Sequence, residues 1–217
     1  MIIAIDGPAG SGKSTISKLI AKDLDLIYLD TGAMYRLVTL KALKMGILDE
    51  NLENLDKINE LLDNLEIDIR EDGFYLDGVD VSEEIRKPIV SENVSKIAAI
   101  KGVRIKMVDL QRKFSKAKNV ILDGRDIGTV VFPNADLKVF LVADARERAN
   151  RRYKELTEKG ENVSLEEIYQ NILMRDKIDS TREEAPLKKA EDAVEVDTTS
   201  KNIDEVKEKI LNLYKNL

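Results

Sequence analysis

"IIAIDGPAGSGKST", Ile2–Thr15, decides the fold. Ile2–Asp6 is a short apolar run that reads as a buried strand. It leads directly into Gly7–Ser14, which matches G-x-x-x-x-G-K-[ST]. Beyond the motif, Ile16, Leu19, Ile20 and Leu24 recur at helical spacing. Strand, glycine loop and helix in that order are the context in which this motif works. The glycines let the backbone curl so that its N–H groups converge on phosphate oxygens, and the following helix points its positive end at the same place. The nucleotide-binding stretch is therefore Gly7, Pro8, Ala9, Gly10, Ser11, Gly12, Lys13, Ser14 and Thr15. Lys13 reaches the β- and γ-phosphates, and the Ser14 hydroxyl ligates Mg²⁺.

Outward from this loop, strands and helices alternate. Ile27–Leu29 reads as a second short strand, and Thr31 caps a helix reaching about Met45. A further helix is expected over Leu52–Asn64. "EIDIREDGFYLDGVDVSEEIR" then switches to period two, with Asp-Gly pairs suited to tight hairpins. Glu66–Arg70, Gly73–Leu76 and Val79–Val81 make a small antiparallel sheet. Helices follow at Ser91–Ile100 and Val103–Phe114, and Asn119–Asp123 and Leu137–Val142 have the continuous apolar character of buried parallel strands. Asp144 with Glu147, and Ser164 with Glu167, resemble capping boxes. Ala193–Val196 is a last strand, and Asn202 with Glu205 opens a C-terminal amphipathic helix. The fold class is α/β, a doubly wound parallel sheet carrying a small antiparallel insertion.

Composition narrows the chemistry. The 217 residues carry a net charge of −6 with 35% charged residues, a balance that argues against nucleic acid or an anionic membrane as partner. No apolar run approaches the roughly 20 residues of a spanning helix. "MIIAID" has no basic segment before it, so no signal peptide is expected, and the chain is expected to be cytoplasmic. Cysteine is absent, which removes disulfides and thiolate chemistry. Histidine is absent too, so any reaction must run without the usual general base at neutral pH.

A nucleoside triphosphate site leaves two classes open. One is a transferase; the other is a switch or motor that only hydrolyses the nucleotide. No Asn-Lys-x-Asp guanine motif is present. A transferase needs a second constellation for an anionic acceptor. Arginine gathers beside aspartate or glycine in "DTGAMYR" (30–36), "VRIKM" (103–107), "DGRDIGTVVFP" (123–133) and "RDKIDSTR" (175–182). Arg175, Asp179 and Arg182 fall on one face if their segment is helical. Guanidinium forks suit phosphate oxygens, although two arginines around an acid also describe a solvated ion-pair ladder. Arg146, Arg148, Arg151 and Arg152 form a further cluster, either a solvated helix face or the cations of a closing lid. Asp123 ends an apolar strand, either as a Walker-B acid oriented on Mg²⁺ or as the cap of the next turn.

Together these segments carry a resemblance over essentially the whole chain. "IDGPAGSGKST", "LDTGAMYR", "VSEEIR", "DGRDIGTVVFP", R-x-x-x-D-x-x-R over 175–182 and "EAPLKKAEDAVEVDTT" make it similar to the bacterial cytidylate kinases, nucleoside monophosphate kinases of the P-loop class. Thr31 stands where other members carry serine. The resemblance implies transfer of the γ-phosphate of ATP, with Mg²⁺, to CMP or dCMP; a broader pyrimidine kinase that also uses UMP is the alternative. It implies that Arg36, Arg125 and Arg182 hold the monophosphate, that Tyr35 and Thr31 line its site, and that Arg175 and Asp179 hold the ribose. Ser95, Arg104 and Asp126 would read the cytosine edge. Lys13, Arg125, Arg182, Arg148 and Arg152 would be catalytic, with Ser14 and Asp123 toward the metal. It further implies a core of residues 1–35 and 115–217, a monophosphate-binding insertion over 36–114 characteristic of the longer bacterial form, a lid over 148–164, and a monomer.

Overall fold

A computed structural model describes residues 1–48, 55–70 and 72–217. Contacts divide the chain into two compact units, Met1–Asp30 with Phe114–Leu217, and Thr31–Lys113.

The first unit is built on five parallel strands: β1 (Ile2–Asp6), β2 (Ile27–Asp30), β6 (Val120–Gly124), β7 (Leu137–Val142) and β8 (Val194–Asp197), in the order β2-β6-β1-β7-β8. Ile3, Ala4 and Ile5 are fully buried, as the continuous apolar run of a central parallel strand requires. Helix α1 (Lys13–Asp23) and the C-terminal α8 (Ile203–Lys215) pack together over the sheet. Ile16 and Ile20 from α1, Val206 and Ile210 from α8, and Ile121, Val139 and Val196 from the strands form one core. The unit is completed by α6 (Ala145–Glu158) and α7 (Leu165–Thr181), which pack on one another.

Parallel register brings chemistry to one edge. Asp30 pairs with Asp123, and Asp6 pairs with Gly124. Strands β1, β2 and β8 each end in aspartate, and β6 carries Asp123 one residue before its end. The carboxyl edge of such a sheet, where the strand order switches, is where α/β proteins place their ligands.

The second unit holds α2 (Thr31–Lys44), α3 (Leu55–Asp63), the antiparallel sheet β3 (Ile67–Arg70), β4 (Gly73–Leu76) and β5 (Val79–Asp80), then α4 (Pro88–Ala99) and α5, whose span Lys101–Ser115 runs just past it. Asp77 and Gly78 both have positive φ, the geometry of a tight two-residue hairpin turn. Ala33, Leu37, Leu40, Leu76, Val81, Ile85 and Val90 form this unit's own core.

Several boundaries differ from the sequence reading. Thr31 is the first helical residue of α2 rather than its cap. Helix α4 begins at Pro88, three residues before Ser91, because proline fits the first helical position, where no backbone donor is needed. The expected start of α3 at Leu52 and the Glu71 of the first hairpin turn lie outside the described residues. Ile127–Val131 forms a π-helical turn that the sequence reading missed, since "IGTVV" shows no helical period. Asp144 and Ser164 act as N-caps, Asp144 accepting from the amides of Arg146 and Glu147 and Ser164 from that of Glu167, without the reciprocal half of a capping box; Asn202 with Glu205 makes the full box.

Candidate active site

The loop between β1 and α1 is shaped by its glycines. Gly7 has φ of 150°, and a Cβ there would lie 2.2 Å from the carbonyl oxygen of Leu141. Gly12, at φ 89°, turns the chain into α1. Lys13 Nζ folds back over the loop, donating to the Pro8 carbonyl at 2.7 Å and to Ser11 Oγ at 3.4 Å. Burial, and then Arg125, push the Lys13 ammonium well below the usual lysine range, with Asp123 and Asp6 opposing. Further negative charge beside this buried group would favour its charged form.

Ser14 Oγ donates to Asp123 Oδ2 at 2.9 Å, and Tyr28 Oη donates to Asp123 Oδ1 at 2.6 Å. Burial, reinforced by Asp30, pushes the Asp123 carboxyl up to about 6. Burial and the same Asp123 push the Tyr28 phenol far up, so it remains a donor. A hydroxyl and a carboxylate side by side are the oxygen donors that Mg²⁺ takes through one or two protein groups plus phosphates. Among the described residues, no group of three or more His, Cys, Asp or Glu side chains could hold a metal ion.

Three arginines of the first unit surround one acid. Asp179 is buried near the end of α7; its Oδ2 accepts from Arg125 Nε at 3.0 Å, and its Oδ1 lies 3.6 Å from Arg182 Nη1. Burial alone would raise this carboxyl, but Arg125, Arg175 and Arg182 outweigh it and hold it below the usual aspartate range. Arg182, the C-cap of α7, is braced by two hydrogen bonds to the Ala185 carbonyl at 2.9 and 2.7 Å. It also lies 3.9 Å from Asp126 Oδ1. Arg175 has a buried Nε with no hydrogen-bond partner among the described residues. Burial, then the neighbouring Arg125, pull its guanidinium down to about 10. Asp179 is shared by three guanidinium groups, with Asp126 beside Arg182 and Asp176 acting on Arg175, a gathering of forks of the kind that suits phosphate oxygens. The solvated-ladder alternative fails on burial: Arg182 and Asp179 side chains are 2% and 4% exposed.

The two cations expected in the lid behave differently. Arg148 is buried, with Nη1 donating to the Ala9 carbonyl at 2.8 Å, Nε to Ala143 at 3.0 Å and Nη2 to Asp176 at 2.6 Å. It is a strut beneath the phosphate loop rather than a cation on an open face. Arg152 is partly exposed, pairs with Glu155 at 2.7 Å and lies near enough to Arg175 to depress it. Arg151 reaches the Thr198 carbonyl and hydroxyl, and Arg146 stacks on Tyr169 while pairing with Glu166.

The second unit holds the remaining candidates. The Arg104 guanidinium lies 5.3 Å from the centre of the Tyr35 ring and donates to the Ala98 carbonyl at 3.0 Å. Arg36 donates to the Ile85 carbonyl at 3.0 Å and to Ser91 Oγ at 2.8 Å, which fixes its side chain from outside α2. Ser95 is buried on α4, and Thr31 is buried at the start of α2.

Sequence reasoning missed Tyr28, Asp176 and Asp6. Tyr28 and Asp6 reach their partners only through parallel register, which no local pattern encodes. An aspartate directly after Arg175 is the one signal that could have found Asp176.

A family model described as cytidylate kinase matches residues 3–216. The chain belongs to the cytidylate kinase family. It is 57% identical over 206 residues to the cytidylate kinase of Fusobacterium nucleatum, covering 95% of this chain and 93% of that one. To the cytidylate kinase of Clostridioides difficile it is 54% identical over 212 residues, covering 98% and 97%. Among solved structures, shikimate kinase from Bacteroides thetaiotaomicron aligns with a TM-score of 0.51 at 13% identity, over 99% of this chain and 98% of that one. That likeness shows the α/β fold alone. No helix among the described residues is long and apolar enough to cross a membrane.

Proposed function

We propose that the protein transfers the γ-phosphoryl group of ATP to CMP or dCMP, giving ADP and CDP or dCDP. The observation that carries this reading is the gathering of three guanidinium groups around the buried Asp179, in the same unit as the phosphate loop. A hydrolysing switch has no use for that cluster. The nucleophile is an oxygen of the acceptor phosphate, already anionic at neutral pH. No general base is needed, which is why a chain without histidine is equipped for the reaction. The demand is in-line positioning and neutralisation of two like-charged reactants.

In this reading the loop amides from Gly7 to Thr15 and Lys13 hold the triphosphate. Ser14 and Asp123 would hold Mg²⁺, which supplies charge neutralisation between phosphate oxygens. Arg125, Arg182 and Arg36 hold the acceptor phosphate, with Tyr35 and Thr31 lining its site. Arg175 and Asp179 take the ribose. Asp126, Arg104 and Ser95 read the base: the exocyclic amine of cytosine donates to a carboxylate, whereas uracil would set a carbonyl against it. Arg152 is the cation of the 148–164 segment left near Arg175. Arg148 acts through the Ala9 carbonyl, by holding the loop, rather than by touching phosphate. The reading includes a monomer in the cytoplasm with no nucleic-acid or membrane partner.

A coupled ADP-release assay with ATP and each monophosphate tests this. Turnover is expected with CMP and dCMP and to be far weaker with UMP. Equal turnover of UMP would mean a broader pyrimidine kinase, and ADP release independent of any monophosphate would mean a hydrolase. Asp126→Ala is expected to erode the CMP-over-UMP ratio in kcat/KM by on the order of 10²-fold, while leaving the KM for ATP nearly unchanged. An unchanged ratio would remove Asp126 from base reading.

A further inference from the structure

Asp6 ends β1 and is not one of the residues the phosphate-loop motif assigns. It is buried, and its two carboxylate oxygens take one amide each: Oδ1 accepts from Ile127 N at 2.9 Å and Oδ2 from Gly128 N at 2.8 Å. These amides open the π-helical turn, where no intrahelical carbonyl is available to them. The carbonyl of Asp126 closes the same turn, accepting from Val130 at 2.9 Å and Val131 at 3.1 Å. Gly128 is seated so tightly that a Cβ there would lie 3.0 Å from the Lys138 side chain and 3.4 Å from Asp6 Oδ2. A carboxylate gripping two successive amides fixes both the position and the rotation of the peptide that follows Asp126.

The grip is not the cheapest way to fill this space. Burial pushes the Asp6 carboxyl up to about 6, and Asp126 adds to the rise against the lowering by the two amides and Lys13. An ionised group here costs folding stability that a neutral residue of the same shape would not. What the charge supplies is a pair of charge-assisted hydrogen bonds aimed at one short segment.

We infer that Asp6 is a positioning residue for base selection, its carboxylate holding the Ile127 and Gly128 amides and so setting the bearing of the Asp126 carboxylate toward the amino edge of cytosine. The inference rests on the reading of Asp126 as a base-contacting residue. It makes the choice between CMP and UMP depend on a side chain in the strand beneath the phosphate loop, with no contact to the base itself.

The test compares wild type, Asp6→Asn, Asp126→Ala and the double variant. It reads kcat/KM for CMP and for UMP, KM for ATP, and the thermal midpoint at pH 7. Asparagine keeps the shape of Asp6 but has one acceptor atom instead of two. The CMP-over-UMP ratio is expected to fall roughly tenfold in Asp6→Asn, for one lost hydrogen bond. The KM for ATP should move by less than about twofold, and any fall in the midpoint should be small, relief of the buried charge offsetting the unpaired amide. In the double variant the ratio should be no lower than in Asp126→Ala alone, since both act through one carboxylate. If Asp126→Ala lowers the ratio and Asp6→Asn does not, the role of Asp6 is overturned while base reading by Asp126 stands. If Asp126→Ala leaves the ratio unchanged, base reading itself fails. Equal loss with both monophosphates, together with a large fall in the midpoint, would show Asp6 to be merely structural. Should Asp6→Asn not fold, amide exchange in the wild type decides: Ile127 and Gly128 are expected to exchange slowly, and free exchange at both would overturn the grip.

Discussion

Arg148 and Arg152 lie four residues apart on one helix, yet their surroundings assign them different work. Arg148 spends its guanidinium on the Ala9 and Ala143 carbonyls and on Asp176. Removing it leaves the half-buried Asp176 carboxylate and the buried Ala9 carbonyl without their donors. Arg148→Ala is therefore expected to cost about 3 kcal/mol or more, the range for breaking a buried charged network. Arg152 is partly exposed and pairs with a neighbour three residues on, so Arg152→Ala should cost less than about 1 kcal/mol. Urea unfolding of both variants checks the contrast, and equal losses would refute it. From sequence the two arginines looked alike, because charge and helical spacing report a face but not what that face is packed against. Arg175, Asp179 and Arg182 were legible for the opposite reason. Their spacing along one helical segment brings them together without help from the rest of the chain.

At the scale of elements, the phosphate loop was legible because each of its requirements is local. The structure adds that its glycines are not equivalent. Gly7 is blocked twice, by a positive φ and by the Leu141 carbonyl 2.2 Å from any added Cβ. Gly12 has a positive φ, but a Cβ added there would meet nothing within 4 Å among the described residues. In the nucleotide-free protein, Gly12→Ala should cost only the left-handed penalty of about 1–2 kcal/mol. Gly7→Ala must displace strand β7 as well, and is expected to cost more than about 3 kcal/mol or to prevent folding. Denaturant unfolding without nucleotide separates the two, and a Gly12 variant as unstable as the Gly7 variant would contradict the geometry. The π-helical turn after β6 was not legible. Its two leading amides are satisfied by a strand more than a hundred residues earlier, and a long-range cap leaves no mark on the local pattern. The β2–β6–β1 register that seats Tyr28 on Asp123 is hidden in the same way.

At the scale of the whole molecule, Asp6 sets two properties of the chain against one another. Its carboxyl is raised from 3.8 to about 6 by burial, so the folded state binds this proton more tightly than the unfolded chain does. The folded state therefore holds more protons between these two values, and stability due to this group rises as pH falls from above 6 toward 4. The groups facing it, Asp126 and Lys13, lie in the same unit, and Lys13 opposes the rise. The predicted result is a comparison rather than an absolute curve. Between pH 7.5 and pH 5 the wild type should gain about 1.4 kcal/mol relative to Asp6→Asn, whose amide does not titrate. Selectivity should move the other way, because a protonated Asp6 keeps one acceptor oxygen and loses part of its grip on the Ile127 and Gly128 amides. The CMP-over-UMP ratio of the wild type should then fall below pH 6, while that of Asp6→Asn stays flat. Chemical denaturation and paired kinetics across this interval check both arms, and parallel pH profiles for the two proteins would show that the charge buried under the loop does neither job.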